Sequence, residues 1–190
     1  MIIGVDLDDV LLDFFGTFCD FINEKNGTKY DRNSLTDFYL EKSWGWTKEA
    51  ASQAITDFYA SAKHVGAAPV KGAVEAVSTL SKGNTLHIIT SKPDSLREIT
   101  EKWVYKNYPG MFAGIHFMNQ YHSKGEKRLK ADVCKELGAT ILIEDSLEQA
   151  QSADAKGIRV LMLDAPWNQK DVRTSITRVK SWNEIVTLLS

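Results

Sequence analysis

Three carboxylates crowd one short stretch near the amino end, Val5-Asp6-Leu7-Asp8-Asp9-Val10. The apolar run Met1–Leu7 (MIIGVDL) that carries the first of them reads as a buried strand. Side chains alternate along a strand, so Asp6 and Asp8 point one way while Leu7 turns into the core. Like charges gathered this closely are costly unless something neutralises them. A hard divalent cation with oxygen ligands, Mg²⁺ above all, would do so. An acidic turn that caps the following helix is the plainer alternative.

Further polar groups end the later apolar runs. His87–Thr90 (HIIT) leads into Thr90-Ser91-Lys92-Pro93. Hydroxyls and backbone N–H groups beside a helix start suit a phosphate, with a simple helix cap as the alternative. Ile141–Ile143 (ILI) leads into Glu144-Asp145-Ser146, two more acids that could also serve as a cap. Lys124, Lys127, Arg128 and Lys130 stand just before or within the helix preceding that run. Each alone reads as a solvated surface charge. Open parallel sheets gather ligands outside the carboxyl ends of their strands, and these acids, hydroxyls and cations all fall at such ends.

The elements that must position them alternate. Strands are expected at the start, at 85–90, 115–118, 140–143 and 159–163, with turn signals at Lys82-Gly83-Asn84, Leu137-Gly138 and Lys156-Gly157. Between them Val74, Val77 and Leu80 share one helix face, as do Leu96, Ile99 and Trp103, then Leu129, Val133 and Leu137. This rhythm predicts an α/β fold, a parallel sheet covered by helices on both faces. Residues 14–67 break it. They contain no convincing strand and eleven of the nineteen aromatic residues. One helix is expected from about Asp13 to Lys25, ending at Asn26-Gly27, and a second from about Thr47, its N-cap, to Lys63. Without a Gly/Ser linker, this helical insertion should pack on the sheet. A short amphipathic helix is expected over Ser181–Ser190.

The ordered set Asp-x-Asp, Thr-Ser, Lys and Glu-Asp resembles the four motifs of the haloacid dehalogenase (HAD) superfamily of phosphohydrolases, over nearly the whole chain. Asp6-Leu7-Asp8-Asp9-Val10 looks like the first motif, Thr90-Ser91 the second, Lys130 or Lys127 the third, and Glu144-Asp145 the fourth. The size, the early helical insertion and Lys130-Ala131-Asp132-Val133-Cys134 look most like the cytosolic 5'(3')-deoxyribonucleotidase group. The resemblance implies a Rossmann-like core (residues 1–13 and 68–190) with a small helical cap (14–67) inserted after strand one. It implies Mg²⁺-dependent hydrolysis of phosphate monoesters. Asp6 would be the nucleophile and Asp8 the acid and base. Asp6, the Asp8 carbonyl and Asp145 would hold the metal. Thr90, Ser91 and the lysine, Lys130 by preference, would hold the phosphate. Glu144 departs from the commoner Asp-Asp and reads as a second ligand or a supporting group. Asp8 argues against dehalogenation, because a departing halide needs no proton. In the cap, Phe15, Trp44 and Trp46 are candidates to stack on a nucleobase, the alternative being that they form the cap's own core.

Composition agrees with an enzyme for small molecules. Twenty-three basic and twenty-five acidic residues give a net charge of -2, which argues against a nucleic-acid polymer as partner. No apolar run reaches the length of a membrane helix. The acidic start is unlike a signal peptide, and two distant cysteines, Cys19 and Cys134, make no disulfide framework, so a cytoplasmic protein with reduced thiols is expected. His64, His87, His116 and His122 do not cluster in the sequence, and none is given a role. A HAD phosphatase or phosphomutase for a sugar phosphate, and more distantly a receiver-like phosphoacceptor module, are the competing readings. The oligomeric state stays open.

Overall fold

The computed structural model describes residues 1–120, 126–170 and 172–190. From β1 (Ile2–Val5) the chain runs through four helices, α1 (Phe14–Asn26), α2 (Leu40–Trp44), α3 (Lys48–Tyr59) and α4 (Ala62–Val65). It then alternates: α5 (Ala73–Leu80), β2 (Thr85–Thr90), α6 (Arg97–Asn107), β3 (Gly114–Phe117), α7 (Lys130–Leu137), β4 (Ile141–Glu144), α8 (Leu147–Ala155), β5 (Arg159–Leu163), β6 (Ile176–Val179) and α9 (Trp182–Leu189). Among the described residues the strands form one parallel sheet in the order β3-β2-β1-β4-β5-β6. The first apolar run is therefore central, with Gly4 opposite His87 of β2 on one side and Leu142 of β4 on the other. Strand order reverses at β1, where doubly wound sheets open a crevice for ligands.

Period-two alternation divides the core. Ile3, Val5, Leu86, Ile88, Ile141, Ile143 and Leu161 face a layer built from α5, α6 and α9. Ile89, Leu142, Val160 and Met162 face α7 and α8. The helical segment between β1 and α5 has no separate core of its own: Phe14, Phe18, Ile22 and Phe58 are buried in the same cluster as Val5 and Leu7. Cys19 and Cys134 are buried free thiols that burial pushes up to about 12.

Local chemistry sets the helix ends. Asp13 caps α1 by accepting from Gly16 N at 3.2 Å, and Gly27 at φ 66° closes it. Thr47 caps α3, as expected, accepting from Ala50 N at 3.1 Å. The single helix expected over 47–63 is two. The Ser61 hydroxyl donates to Phe58 O at 2.6 Å and accepts from His64 N at 3.3 Å, ending α3 and starting α4 with one side chain. Leu129 lies before α7 and is 47% exposed, so it does not share the buried face with Val133. Strand β6 had no apolar run to announce it, because only Ile176 and Val179 of its four residues are buried.

At Gly4 a side chain of α7 packs tightly on the sheet. A Cβ there would stand 2.9 Å from Ile89 Cδ1 and 3.2 Å from both Cys134 Sγ and Leu142 Cδ1. Gly4→Val should lower stability by about 1–3 kcal/mol through overpacking, and Gly4→Ala by less. Urea melts of the two variants check this; a neutral Gly4→Val would contradict the close approach.

Candidate active site

The sheet pairing carries the acids to their places. Asp6 N donates to Ile143 O at 2.9 Å, extending the β1–β4 ladder past the end of β1. Asp6 thereby stands beside Glu144 and Asp145, at the end of β4. One carboxylate oxygen of each lies within 4.8 Å of the others, and all three residues are buried. Lys130, the first residue of α7, reaches Asp6 Oδ1 at 2.6 Å and Glu144 Oε2 at 2.8 Å, with its side chain 2% exposed. Lys127 is exposed at the surface, so of the two lysines left open by the sequence it is Lys130 that joins the acids. Lys124 and His122 lie outside the described residues.

One buried cation cannot balance three carboxylates. Burial first, then Glu144, pushes Asp6 up to about 8. Burial likewise holds Asp145 well above the usual carboxylate range, with Glu144 and Asp6 adding to it. Burial opposes the charge on Lys130, yet Asp6 and Glu144 together keep its pKa above the ordinary lysine value. A donor set of hard oxygens with negative charge in excess fits a divalent cation such as Mg²⁺. Glu144 is occupied on both sides: Oε2 holds Lys130, while Oε1 accepts from Ser146 N at 3.0 Å and Asp145 N at 3.3 Å. Asp145 Oδ2 accepts from Trp167 Nε1 at 2.8 Å, and its carbonyl accepts from Asn168 Nδ2 at 2.7 Å. These bonds orient the acids before any ligand arrives.

The turn after β1 separates the other two aspartates. Asp8 is half-buried and is gripped by Lys92 Nζ through both oxygens, at 2.6 and 2.8 Å. Lys92 is 2% exposed, and its ammonium lies 5.2 Å from the Phe14 ring centre and 4.9 Å from that of Tyr59. No role was expected for Lys92; its place directly after Thr90-Ser91 was the available signal. Asp9, at φ 58°, takes the capping part foreseen for an acidic turn, accepting from Phe15 N at 3.2 and 3.3 Å. Burial raises its pKa against the opposing pull of Arg32, 3.5 Å away. Thr90 is fully buried at the end of β2, its Oγ1 accepting from Lys92 N at 3.3 Å, while Ser91 faces the cavity and donates to Gln120 Oε1 at 2.9 Å.

These groups floor a cavity of about 380 Å³. Asp6, Asp8, Ser91, Lys92, Lys130, Glu144 and Asp145 form its polar end, and Phe14, Phe15, Phe38, Tyr39, Ile55 and Tyr59 its apolar walls. Of the three aromatics singled out in the sequence, Phe15 lines the cavity, edge-on to Phe38 and Trp167. Trp44 and Trp46 do not line it. Trp44 stacks on Tyr30 at 4.0 Å and Trp46 Nε1 donates to Tyr30 hydroxyl at 3.0 Å, so both rings are spent on packing within the insertion. Phe38, Tyr39 and Tyr59 stand in the chamber instead, at positions whose spacing gave no distinguishing sign. His87 and His116, apart in sequence, pair across β2 and β3 at 3.1 Å away from this cavity. His64 is buried against Phe58 and Tyr59, and burial and Lys92 push it down to about 4.

The fold is that of solved hydrolases. A haloacid dehalogenase-like family hydrolase of Streptococcus pneumoniae superposes with a TM-score of 0.72 at 20% identity, covering 100% of this chain and 98% of that one. The YfnB protein of Bacillus subtilis, solved bound to magnesium, gives 0.65 at 13% identity, covering 99% and 97%. In sequence, a nucleotidase of Clostridium acetobutylicum is 22% identical over 189 residues, 96% of this chain and 90% of the relative. The model of the family described as "5' nucleotidase, deoxy (Pyrimidine), cytosolic type C protein" matches residues 1–190. A carboxylate centre at the switch point of a HAD-type sheet, matched end to end by that family, makes this chain a member of the cytosolic type C 5'-nucleotidase family.

Proposed function

We propose that this phosphatase hydrolyses nucleoside monophosphates, deoxyribonucleotides foremost, with Mg²⁺ and through an aspartyl-phosphate. The observation that carries the reading is the join of the polar end, three carboxylates facing one buried lysine, to an aromatic chamber large enough for a nucleoside. Residues 14–67 act as a cap over it, and their aromatics supply the face for a base. Phe15, Phe38 and Tyr39 take that part, in place of Trp44 and Trp46. Among the described residues no helix is long and apolar enough to cross a membrane; a cytoplasmic setting belongs to the same proposal.

Asp6, Asp145 and the Asp8 carbonyl would hold the cation, with Glu144 fixing Lys130 behind them. Bound there, the cation offsets the repulsion between a carboxylate and a phosphate dianion. The magnesium of the YfnB structure supports that choice of ion. Lys130 holds Asp6 by Oδ1, which orients the carboxylate for attack on phosphorus. The new Asp6–phosphorus bond forms as the bond to the ester oxygen breaks, and Asp8 gives that oxygen its proton. In the second step Asp8 takes a proton from water, whose oxygen displaces Asp6 and releases phosphate. Backbone N–H groups after Thr90, that of Ser91 among them, hold phosphate oxygens, while the Ser91 hydroxyl stays on Gln120. Lys92 grips Asp8 in the resting site, and an arriving phosphate competes for the same ammonium.

Three outcomes follow. Phosphate release from nucleoside monophosphates should require Mg²⁺, stop with chelator, and fall by more than roughly a thousandfold in Asp6→Asn; turnover of sugar phosphates alone would keep the chemistry and remove nucleotides. Phe38→Ala should raise KM for nucleotides by roughly five- to a hundredfold, the loss of one stacked base, without changing KM for a small alkyl phosphate. Trp44→Ala should leave both within twofold. Asp6 rises from 3.8 to about 8 on folding, so between those values the folded protein binds the extra proton. The melting temperature of chelator-treated wild type, taken relative to that of Asp6→Asn at each pH, should therefore fall as pH rises through that window. A relative melting temperature that climbs across the window would refute the assignment.

A further inference from the structure

Gln149 projects from the first turn of α8, one turn beyond Asp145, and lines the cavity while only 7% exposed. A primary amide can offer a ligand either its oxygen or its NH₂, and the two choices recognise opposite partners. Here a chain of hydrogen bonds decides. It is anchored on the Arg128 backbone carbonyl, which can only accept. Gln120 Nε2 donates to that carbonyl at 2.8 Å. Gln120 Oε1 must then face the other way, where it accepts from Ser91 Oγ at 2.9 Å and from Gln149 Nε2 at 2.8 Å. Reversing the Gln120 amide would set two oxygens against each other at Arg128, so the direction of the whole chain is fixed. Gln149 gives one of its two N–H donors to Gln120, and its Oε1 makes no bond to the protein among the described residues.

Gln149, and with it this acceptor, lines the cavity together with Ser91 and Asp145. A phosphate dianion offers only acceptors and cannot satisfy it. The substrate group that can is a donor close to the ester, and in a nucleotide that is a hydroxyl of the sugar. We infer that Gln149 is a specificity-determining residue that reads a furanose hydroxyl of the leaving group, with Gln120 as the positioning residue that fixes which face of the amide it shows. The inference rests on the nucleotidase reading above for the identity of the sugar, but not for the presence of a donor.

The test compares ribo-, 2'-deoxy- and 2',3'-dideoxynucleoside 5'-monophosphates, with p-nitrophenyl phosphate as a substrate that lacks a hydroxyl near the ester. In the wild type, kcat/KM should drop roughly three- to tenfold from the 2'-deoxy- to the 2',3'-dideoxynucleotide, the step that removes the one hydroxyl a deoxyribonucleotide keeps. In Gln149→Met the three nucleotides should agree within twofold, and p-nitrophenyl phosphate measures the common change that losing the Gln149–Gln120 bond makes at Ser91. Gln120→Met, which frees the amide to rotate, should give an intermediate ratio. A wild-type step that survives in Gln149→Met, every substrate losing alike, overturns the inference. If no nucleotide is turned over, the same ratio is read on pentose 5-phosphates and their 3-deoxy counterparts. A Gln149-dependent step there retains the reader and discards the nucleotide, and its absence overturns both.

Discussion

The contact between Lys130 and the carboxylates of Asp6 and Glu144 is the constraint on which the structure turns. An ammonium withdrawn from water needs partners at hydrogen-bond distance, and three buried acids need at least one cation. Neither condition is met by a local stretch of chain. Asp6 comes from β1, Glu144 and Asp145 from β4, and Lys130 from the start of α7. The β1–β4 ladder and the seat of α7 over Gly4 must both be correct to within a fraction of an ångström for the charges to close. The surplus of negative charge that remains is of the kind a functional site retains at the expense of stability.

A second ammonium ties this centre to the helices above it. Lys92 is held between the Asp8 carboxylate and the rings of Phe14 and Tyr59, which belong to α1 and α3. Those helices share one hydrophobic cluster with the sheet. Burial, followed by Asp8 and Asp6, holds the Tyr59 hydroxyl neutral by raising its pKa well above 10.0. Any displacement of the helical segment would therefore expose the acid–lysine pair, because the rings that shield the ammonium belong to that segment.

The polar centre was largely legible in the chain. Apolar runs that stop at Asp6, at Thr90 and at Glu144 place those groups at strand ends, and parallel strands share an end. Lys130 was one of two lysines until α7 was seen to begin there. What could not be read depends on distance across the fold. The Lys92–Asp8 grip joins residues 84 apart in sequence, and the Gln149–Gln120 bond residues 29 apart. Trp44 and Trp46, unlike Phe15, were misplaced for a related reason: the eleven rings of residues 14–67 look alike in sequence, and whether Trp44 meets a cavity or Tyr30 is settled by how α2 and α3 turn. Strand β6 was missed because an edge strand buries so few of its side chains.

The position of β1 also bears on how the chain comes to be folded during synthesis. Its side facing β2 can be paired once residue 90 has left the ribosome, but its side facing β4 stays an open edge until residue 144 has followed. Until then the strand that leads to Asp6 is half-covered, its acids lack the Glu144 that holds Lys130 beside them, and an unpaired apolar edge is presented to other chains. A sheet that begins at its middle is closed by its later strands, so the interval before β4 emerges is when this protein depends most on being kept from its neighbours.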